Sequence, residues 1–209
     1  MPLKILHEDA TLLVVDKPAG LTVEEIARQL GYTPAHRLDK DTSGVLLVAK
    51  NEESLESLRR RFKEREVEKH YICLVEGDLK EDQGIIHTLL TRSPADRRKQ
   101  RTYPLNEPKE GRREAITEWK VLQRLQDYTL LQARPKTGRK HQIRAHMVQL
   151  GHPIAGDKLY GFKNQHIPRG LTRQFLHAGY LKIASQEFVS ELPEDLQNVL
   201  ELLPSHYGN

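Results

Sequence analysis

His36-Arg37-Leu38-Asp39-Lys40-Asp41-Thr42-Ser43-Gly44 runs straight into Val45-Leu46-Leu47-Val48. The apolar run is short and opens and closes on β-branched residues, which reads as a buried strand; the stretch before it is dense in ionisable and small polar groups. Binding and catalytic residues are often presented this way, on a connection that a rigid element holds in place. Within it Asp39 is the candidate catalytic group, because a carboxylate can act as nucleophile or general base and a neighbouring Arg favours its ionised form. Thr42, Ser43 and Gly44 add hydroxyls and a permissive backbone. The same composition would also suit a plain turn, with Asp39, Asp41 and Ser43 capping it through local hydrogen bonds. Residue types alone leave both readings open.

Upstream, Thr11-Leu12-Leu13-Val14-Val15-Asp16 reads as a buried strand and Lys17-Pro18-Ala19-Gly20 as a turn with Pro presetting its second position. Thr22 and Glu25 fit a capping box that opens a helix through about Leu30, with Gly31 as its stop. Downstream, Asn51 caps a second helix with Glu52 and Glu53 in its positive first turn and Leu55, Leu58 and Phe62 on one face. Tyr71 to Val75 reads as a strand ending at Glu76-Gly77. Ile116 to Leu125 and Tyr128 to Arg134 form a strand pair joined around Gln126-Asp127. The pattern then predicts a helix over Arg139 to Leu150, with Ile143, Met147 and Leu150 inward and Arg144 at the edge of that buried face. Gly156-Asp157-Lys158-Leu159-Tyr160-Gly161 reads as a loop, His177 to Ala184 as a strand, and a closing helix starts near Pro193 with Leu196, Val199, Leu200 and Leu203 at helical spacing.

With 209 residues, 37% hydrophobic and 30% charged, the chain suits one domain, or one domain with two lobes, around a proper core. No apolar run approaches the roughly 20 residues of a membrane span, and the start lacks the apolar centre of a signal peptide, so a cytoplasmic protein is expected. Cys73, alone in an apolar strand, offers neither a disulfide nor a zinc site. His141 and His146 are five apart rather than one helical turn, so no metal is expected either, and no dinucleotide or phosphate-cradling glycine motif is present.

Lys plus Arg exceed Asp plus Glu by 33 to 29, and the excess is local. Arg92, Arg97, Arg98, Lys99 and Arg101 crowd into ten residues of a polar segment, about 88–113, that is punctuated by Pro94, Pro104 and Pro108. It reads as an extended arm or hairpin that binds phosphate backbones by displacing counterions. A second cluster, Arg59, Arg60, Arg61, Lys63 and Arg65, is interrupted by Glu64 and Glu66 and fits a solvated helix face equally well.

Four segments, in order, closely resemble the motifs of RluA-type pseudouridine synthases: Lys17-Pro18-Ala19-Gly20, the Asp39 stretch, Lys69-His70-Tyr71, and Thr137-Gly138-Arg139-Lys140-His141-Gln142-Ile143-Arg144-Ala145-His146. The resemblance implies an α+β fold, a mixed, mostly antiparallel central sheet with flanking helices and an active-site cleft across it. It implies a single catalytic domain over 1–209, with the basic arm at about 88–115 and without the small S4-like RNA-binding domain that many relatives carry in front. It implies isomerisation of uridine in ribosomal or transfer RNA, by a monomer and with no cofactor.

By resemblance Asp39 is the catalytic carboxylate, adding to sugar or base or acting through a glycal. Arg144 keeps it charged and oriented, and Tyr71 stacks on the target base with its hydroxyl near C5. Arg37 helps displace the nucleotide from the stack, and Ile143 packs under the uracil. Thr42 and Arg139 join the substrate site, and Arg97, Arg98, Lys99 and Arg101 hold the RNA. His36 reads as structural. Two other classes share parts of this pattern: an RNA-binding module without activity, and a hydrolase of N-glycosidic bonds.

Overall fold

The computed structural model describes residues 2–204. In chain order the elements are β1 (Lys4–Glu8), β2 (Leu12–Lys17), α1 (Val23–Leu30), β3 (Thr33–Pro34), β4 (Ser43–Ala49), α2 (Glu52–Lys63), β5 (Val67–Glu76), β6 (Gln83–Arg92), β7 (Gln100–Tyr103), β8 (Arg113–Leu125), β9 (Tyr128–Pro135), α3 (Gln142–Gln149), β10 (Leu176–Ile183), β11 (Gln186–Val189) and α4 (Glu194–Glu201). They form two compact units. One is the chain up to Tyr71 with Leu176–Pro193, and the other is Ile72–Phe175 with the chain from Glu194 onward.

The first unit is built on β4, all seven residues of which are buried. β2 pairs with it antiparallel from Leu12↔Ala49 to Lys17↔Gly44, and β10 pairs with it parallel through His177↔Ser43 and Ala178↔Gly44. A strand covered on both faces needs apolar side chains at every position. Val45, Leu47 and Ala49 pack with Leu55, Leu58 and Phe62 of α2 and with Leu181 and Phe188. Leu46 and Val48 pack with Ile26 of α1, Leu38 and Tyr71. Both helices start as their sequences predict: Thr22 and Glu25 close a capping box, Gly31 ends α1 in the left-handed region at φ 73°, and Asn51 caps α2 in a reciprocal pair with Ser54. The Arg59–Lys63 run falls in the last turns of α2, where cations oppose the helix dipole, and Arg61 pairs with Glu66 at 3.2 Å.

In the second unit β7, β6, β8 and β9 form an antiparallel ladder. The β8–β9 turn is Gln126-Asp127, with Asp127 at φ 61°. Trp119 is buried. α3 packs Ala145 against Leu90, Ala115 and Tyr160. With a parallel pair among antiparallel ones and four helices among the described residues, the architecture is α+β with mixed pairing, as the resemblance implies.

Three expectations change. The segment from 88 is not all arm: 88–92 completes β6, with Thr88 and Leu90 buried, and the turn toward β7 begins only after Arg92. α3 begins at Gln142 rather than Arg139, because His141 adopts a left-handed φ of 52° that no helix interior tolerates. Its buried surface is also not a stripe: Gln142 to Met147 are all buried, Leu150 only half so, and Arg144 lies inside rather than at an edge. Strands β1, β3 and β11 carry no clear sequence signal, being two to five residues long or poor in β-formers.

Candidate active site

In the first unit the Asp39 stretch is a tight connection braced from its backbone. Thr42 N–H donates to the Asp39 carbonyl at 3.0 Å, closing a turn over the ionisable residues. The Lys40 carbonyl at its apex accepts from both Gly20 N–H and Lys17 Nζ, each at 2.9 Å, and the same ammonium reaches the Pro18 carbonyl at 2.8 Å. Lys17 is fully buried; a lysine is tolerated there only with its protons taken. The Lys17-Pro18-Ala19-Gly20 turn therefore serves as the strut of the Asp39 loop, a role its sequence does not reveal.

The far end of the loop is fixed by shape. Gly44 has φ 119°, and a Cβ there would stand 2.2 Å from the Ala178 carbonyl oxygen, so only glycine lets β4 and β10 approach. Beside it Ser43 Oγ lies 2.9 Å from His177 Nδ1, whose Nε2 donates to the Ser190 carbonyl at 2.9 Å, while Ser190 Oγ donates to Asp16 at 2.8 Å. His36 Nε2 accepts Leu47 N–H at 3.0 Å and its ring packs 4.8 Å from Phe62. Burial holds His36 down at about 3, so it is a neutral acceptor, the structural part its sequence suggests.

What this scaffold presents is Asp39, half-buried, with Arg37 exposed and Thr42 buried behind it. Tyr71 packs on the Leu38 and Ala178 cluster, and burial and then the Asp39 charge raise its phenol well above the usual range. Tyr71 is thus a neutral phenol, suited to stacking and to donating a hydrogen bond rather than serving as an anionic base. Lys69, two residues earlier, lies 5.8 Å from the Phe62 ring centre, and burial lowers its ammonium to about 8.

In the second unit the Thr137–His146 segment is a buried polar network. The Gln142 side chain accepts from Thr137 Oγ1 (2.6 Å) and Arg139 N–H (3.0 Å) and donates to the Ile116 carbonyl (2.9 Å) and Thr117 Oγ1 (3.0 Å). His146 places Nδ1 2.8 Å from Thr117 Oγ1 and Nε2 3.0 Å from Thr88 Oγ1, and burial lowers it to about 4. Arg139 donates to the Glu114 carbonyl at 2.9 Å. Ile143 is buried on α3.

Arg144 is gripped by a residue sequence reasoning passed over. Its Nε and Nη2 donate to the two oxygens of Asp157 at 2.7 and 2.8 Å, a bidentate pair whose carboxylate is wholly buried. Tyr160, three residues on, has its ring centre 4.9 Å from the guanidinium carbon. The available signal was the loop itself: an acid and an aromatic framed by Gly156 and Gly161.

The basic cluster sits on the β6–β7 hairpin of the same unit. Arg97 and Arg101 are exposed, whereas Arg98 forks onto Asp96 at 3.0 and 2.8 Å; the Arg98 side chain and backbone N–H together hold the Asp96 carboxyl down at about 2. Lys99 lies 5.8 Å from the Tyr160 ring centre, and the Arg112 guanidinium stacks 3.6 Å from that of Tyr103.

Fold and residues together define a class: an α+β protein presenting a braced carboxylate in one unit and, in the other, a buried arginine beside a basic hairpin. The family model for RNA pseudouridylate synthases matches residues 11–149, and the chain belongs to that family, which is one of isomerases acting on RNA. An RNA pseudouridine synthase of Aquifex aeolicus is 36% identical over 99% of this chain and 74% of its own length. Ribosomal large subunit pseudouridine synthase D of Nitrosomonas europaea is 36% identical over 97% of this chain and 66% of its own. Human RNA pseudouridylate synthase domain containing 1 superposes with a TM-score of 0.83 at 30% identity, covering 98% of this chain and 89% of its own. These relatives place the chain in the RluA branch.

Proposed function

We propose that this chain converts uridine to pseudouridine in RNA with Asp39 as the reacting carboxylate. The observation that carries this reading is the construction of the Asp39 loop: a half-buried carboxylate whose backbone is pinned by buried Lys17 and by the Gly44 contact, in the same unit as the protonated Tyr71. In the reaction the C1′–N1 bond breaks, uracil turns and rejoins through C5, the C5 proton leaves and N1 takes one up, so atoms balance without a co-reactant. A rigid carboxylate suits the first step, where the glycosidic carbon becomes electron-poor. Tyr71 supplies the ring against which a displaced base stacks, and Arg37, exposed two residues from Asp39, suits the nucleotide's removal from its stack. Arg144, the basic residue of the Thr137–His146 motif, is assigned to the reaction on the family likeness alone. Thr42, Arg139 and Ile143 complete the substrate contacts.

The RNA class proposed first is large-subunit ribosomal RNA, the substrate named for several of the relatives, with transfer RNA second. On this reading the protein works in the cytoplasm and as a monomer, since every group invoked belongs to one chain. The test is a nucleoside digest of ribosomal RNA after incubation with the protein. Pseudouridine should appear with no free uracil. Free uracil would make the protein a glycosidic hydrolase, and an unchanged digest of ribosomal and transfer RNA would leave a binding module.

A further inference from the structure

The turn from Asp157 to Tyr160 meets Arg144 twice. Asp157 holds the guanidinium with both oxygens, while Oδ1 also accepts the backbone N–H groups of Leu159 and Tyr160, each at 3.0 Å. Carboxylate and tyrosine are therefore locked to one another, and a guanidinium 4.9 Å from the ring centre lies within cation–π range. The other end of the same tyrosine reaches a different element. Its hydroxyl accepts Gln100 N–H at 2.5 Å and lies 3.1 Å from His141 Nδ1. Gln100 opens β7 and directly follows Arg97, Arg98 and Lys99, whose last member lies over the Tyr160 ring. Apolar packing with Leu90, Ala115 and Ala145 accounts for an aromatic ring at 160 but not for its hydroxyl, which a phenylalanine would lack at the same volume.

We propose that Tyr160 is a positioning residue that couples the basic hairpin to Arg144, so that RNA held by the hairpin favours the working placement of the guanidinium. The inference rests on Arg144 and the hairpin having the parts assigned above. Phosphates gripping Arg97 and Arg101 restrain β7, the Gln100 hydrogen bond passes that restraint to the Tyr160 hydroxyl, and the ring and the Asp157 carboxylate pass it to Arg144. Such coupling is a free energy shared by two sites, and it disappears when either end is cut.

The test is a double-mutant cycle on the full chain, with Tyr160→Phe as one change and Arg97→Gln with Arg101→Gln as the other; neither arginine is among the residues seen to touch Tyr160. The readouts are the single-turnover rate at saturating ribosomal RNA and, separately, the Kd for that RNA. In the native background Tyr160→Phe should lower the rate about tenfold, one hydrogen bond's worth, and leave Kd within about twofold. In the neutralised-hairpin background it should cost less than about twofold. Equal losses in both backgrounds, a change in Kd alone, or no loss would overturn the coupling. Gln100→Pro, which deletes the donor and leaves the tyrosine intact, should reproduce the Tyr160→Phe loss; it is the variant to read if the first lowers the melting temperature. Arg144→Ala separates the two levels. A wild-type rate in that variant defeats the assignment beneath, whereas loss of rate there with a silent Tyr160→Phe defeats the coupling alone.

Discussion

The loop at 36–44 and the segment at 137–146 each carry a residue assigned to the chemistry, yet they hold it in opposite ways. Around Asp39 the scaffold grips the backbone: Lys17 and Gly20 take the Lys40 carbonyl, Gly44 fits against Ala178, and the residue is half-buried. Around Arg144 the scaffold grips the side chain itself, in a buried bidentate pair, and the buried Gln142 and His146 on α3 are likewise bonded. A group held by its backbone can be altered with little cost to folding. A group whose charge is buried against another charge cannot, because removing either leaves the other unpaired and desolvated.

The largest contrast should come from Arg144→Ala against Asp39→Asn. The first strands the buried Asp157 and should lower unfolding free energy in urea by about 3–5 kcal/mol; the second should change it by less than about 1 kcal/mol. Arg144→Lys should recover part of both stability and rate, since a point charge replaces the fork. Similar stability losses for Arg144→Ala and Asp39→Asn would erase the distinction. Next in size is Gly44→Ala, which adds a Cβ against a backbone carbonyl at a left-handed φ and should cost about 3 kcal/mol. A neutral result there would mean that the Asp39 loop is not fixed by shape.

What the sequence shows of these regions follows the range of the forces. The capping box at Thr22, the N-cap at Asn51, the β4 run and the turn bearing Asp39 are decided by neighbours within four residues, and all are legible; the answering Ser54 hydroxyl at Asn51 is not. Lys17 is not, because a lysine before a proline reads as exposed until the Lys40 carbonyl, 23 residues away, accepts a hydrogen bond from it. Arg144 reads as the edge of a buried helix face, and Gln142 and His146 as polar residues beside it, but partners at Asp157, Thr117 and Thr88 bury all three. Asp157 and Tyr160 stay hidden for the same reason.

The histidines supply a pH-dependent effect. His36 and His146 are held near 3 and 4 against an ordinary 6.5. Between those limits the unfolded chain binds protons that the folded chain refuses, so stability is complete above about pH 6.5 and declines as pH falls toward 4. Urea midpoints across that range should fall, and His146→Gln should make the decline shallower. A flat profile would show that these rings are not buried neutral.

Smallest is the hairpin. Replacing Arg97 and Arg101 by Gln should weaken RNA binding and reduce the salt slope by about 0.7–0.9 per lost phosphate contact, while Arg98→Gln, already paired with Asp96, should change it less. An unchanged slope for all three would remove the hairpin from the RNA surface.

The central claim, that Asp39 drives a uridine isomerisation, is tested most directly by tritium release. RNA labelled at C5 of uridine must lose its label to water when uracil rejoins through that carbon. Wild-type protein should release it. Asp39→Asn, folded and still binding RNA, should release none, and Asp41→Asn should release it at close to the wild-type rate. Near-normal release by Asp39→Asn, or its loss only in Asp41→Asn, would contradict the account.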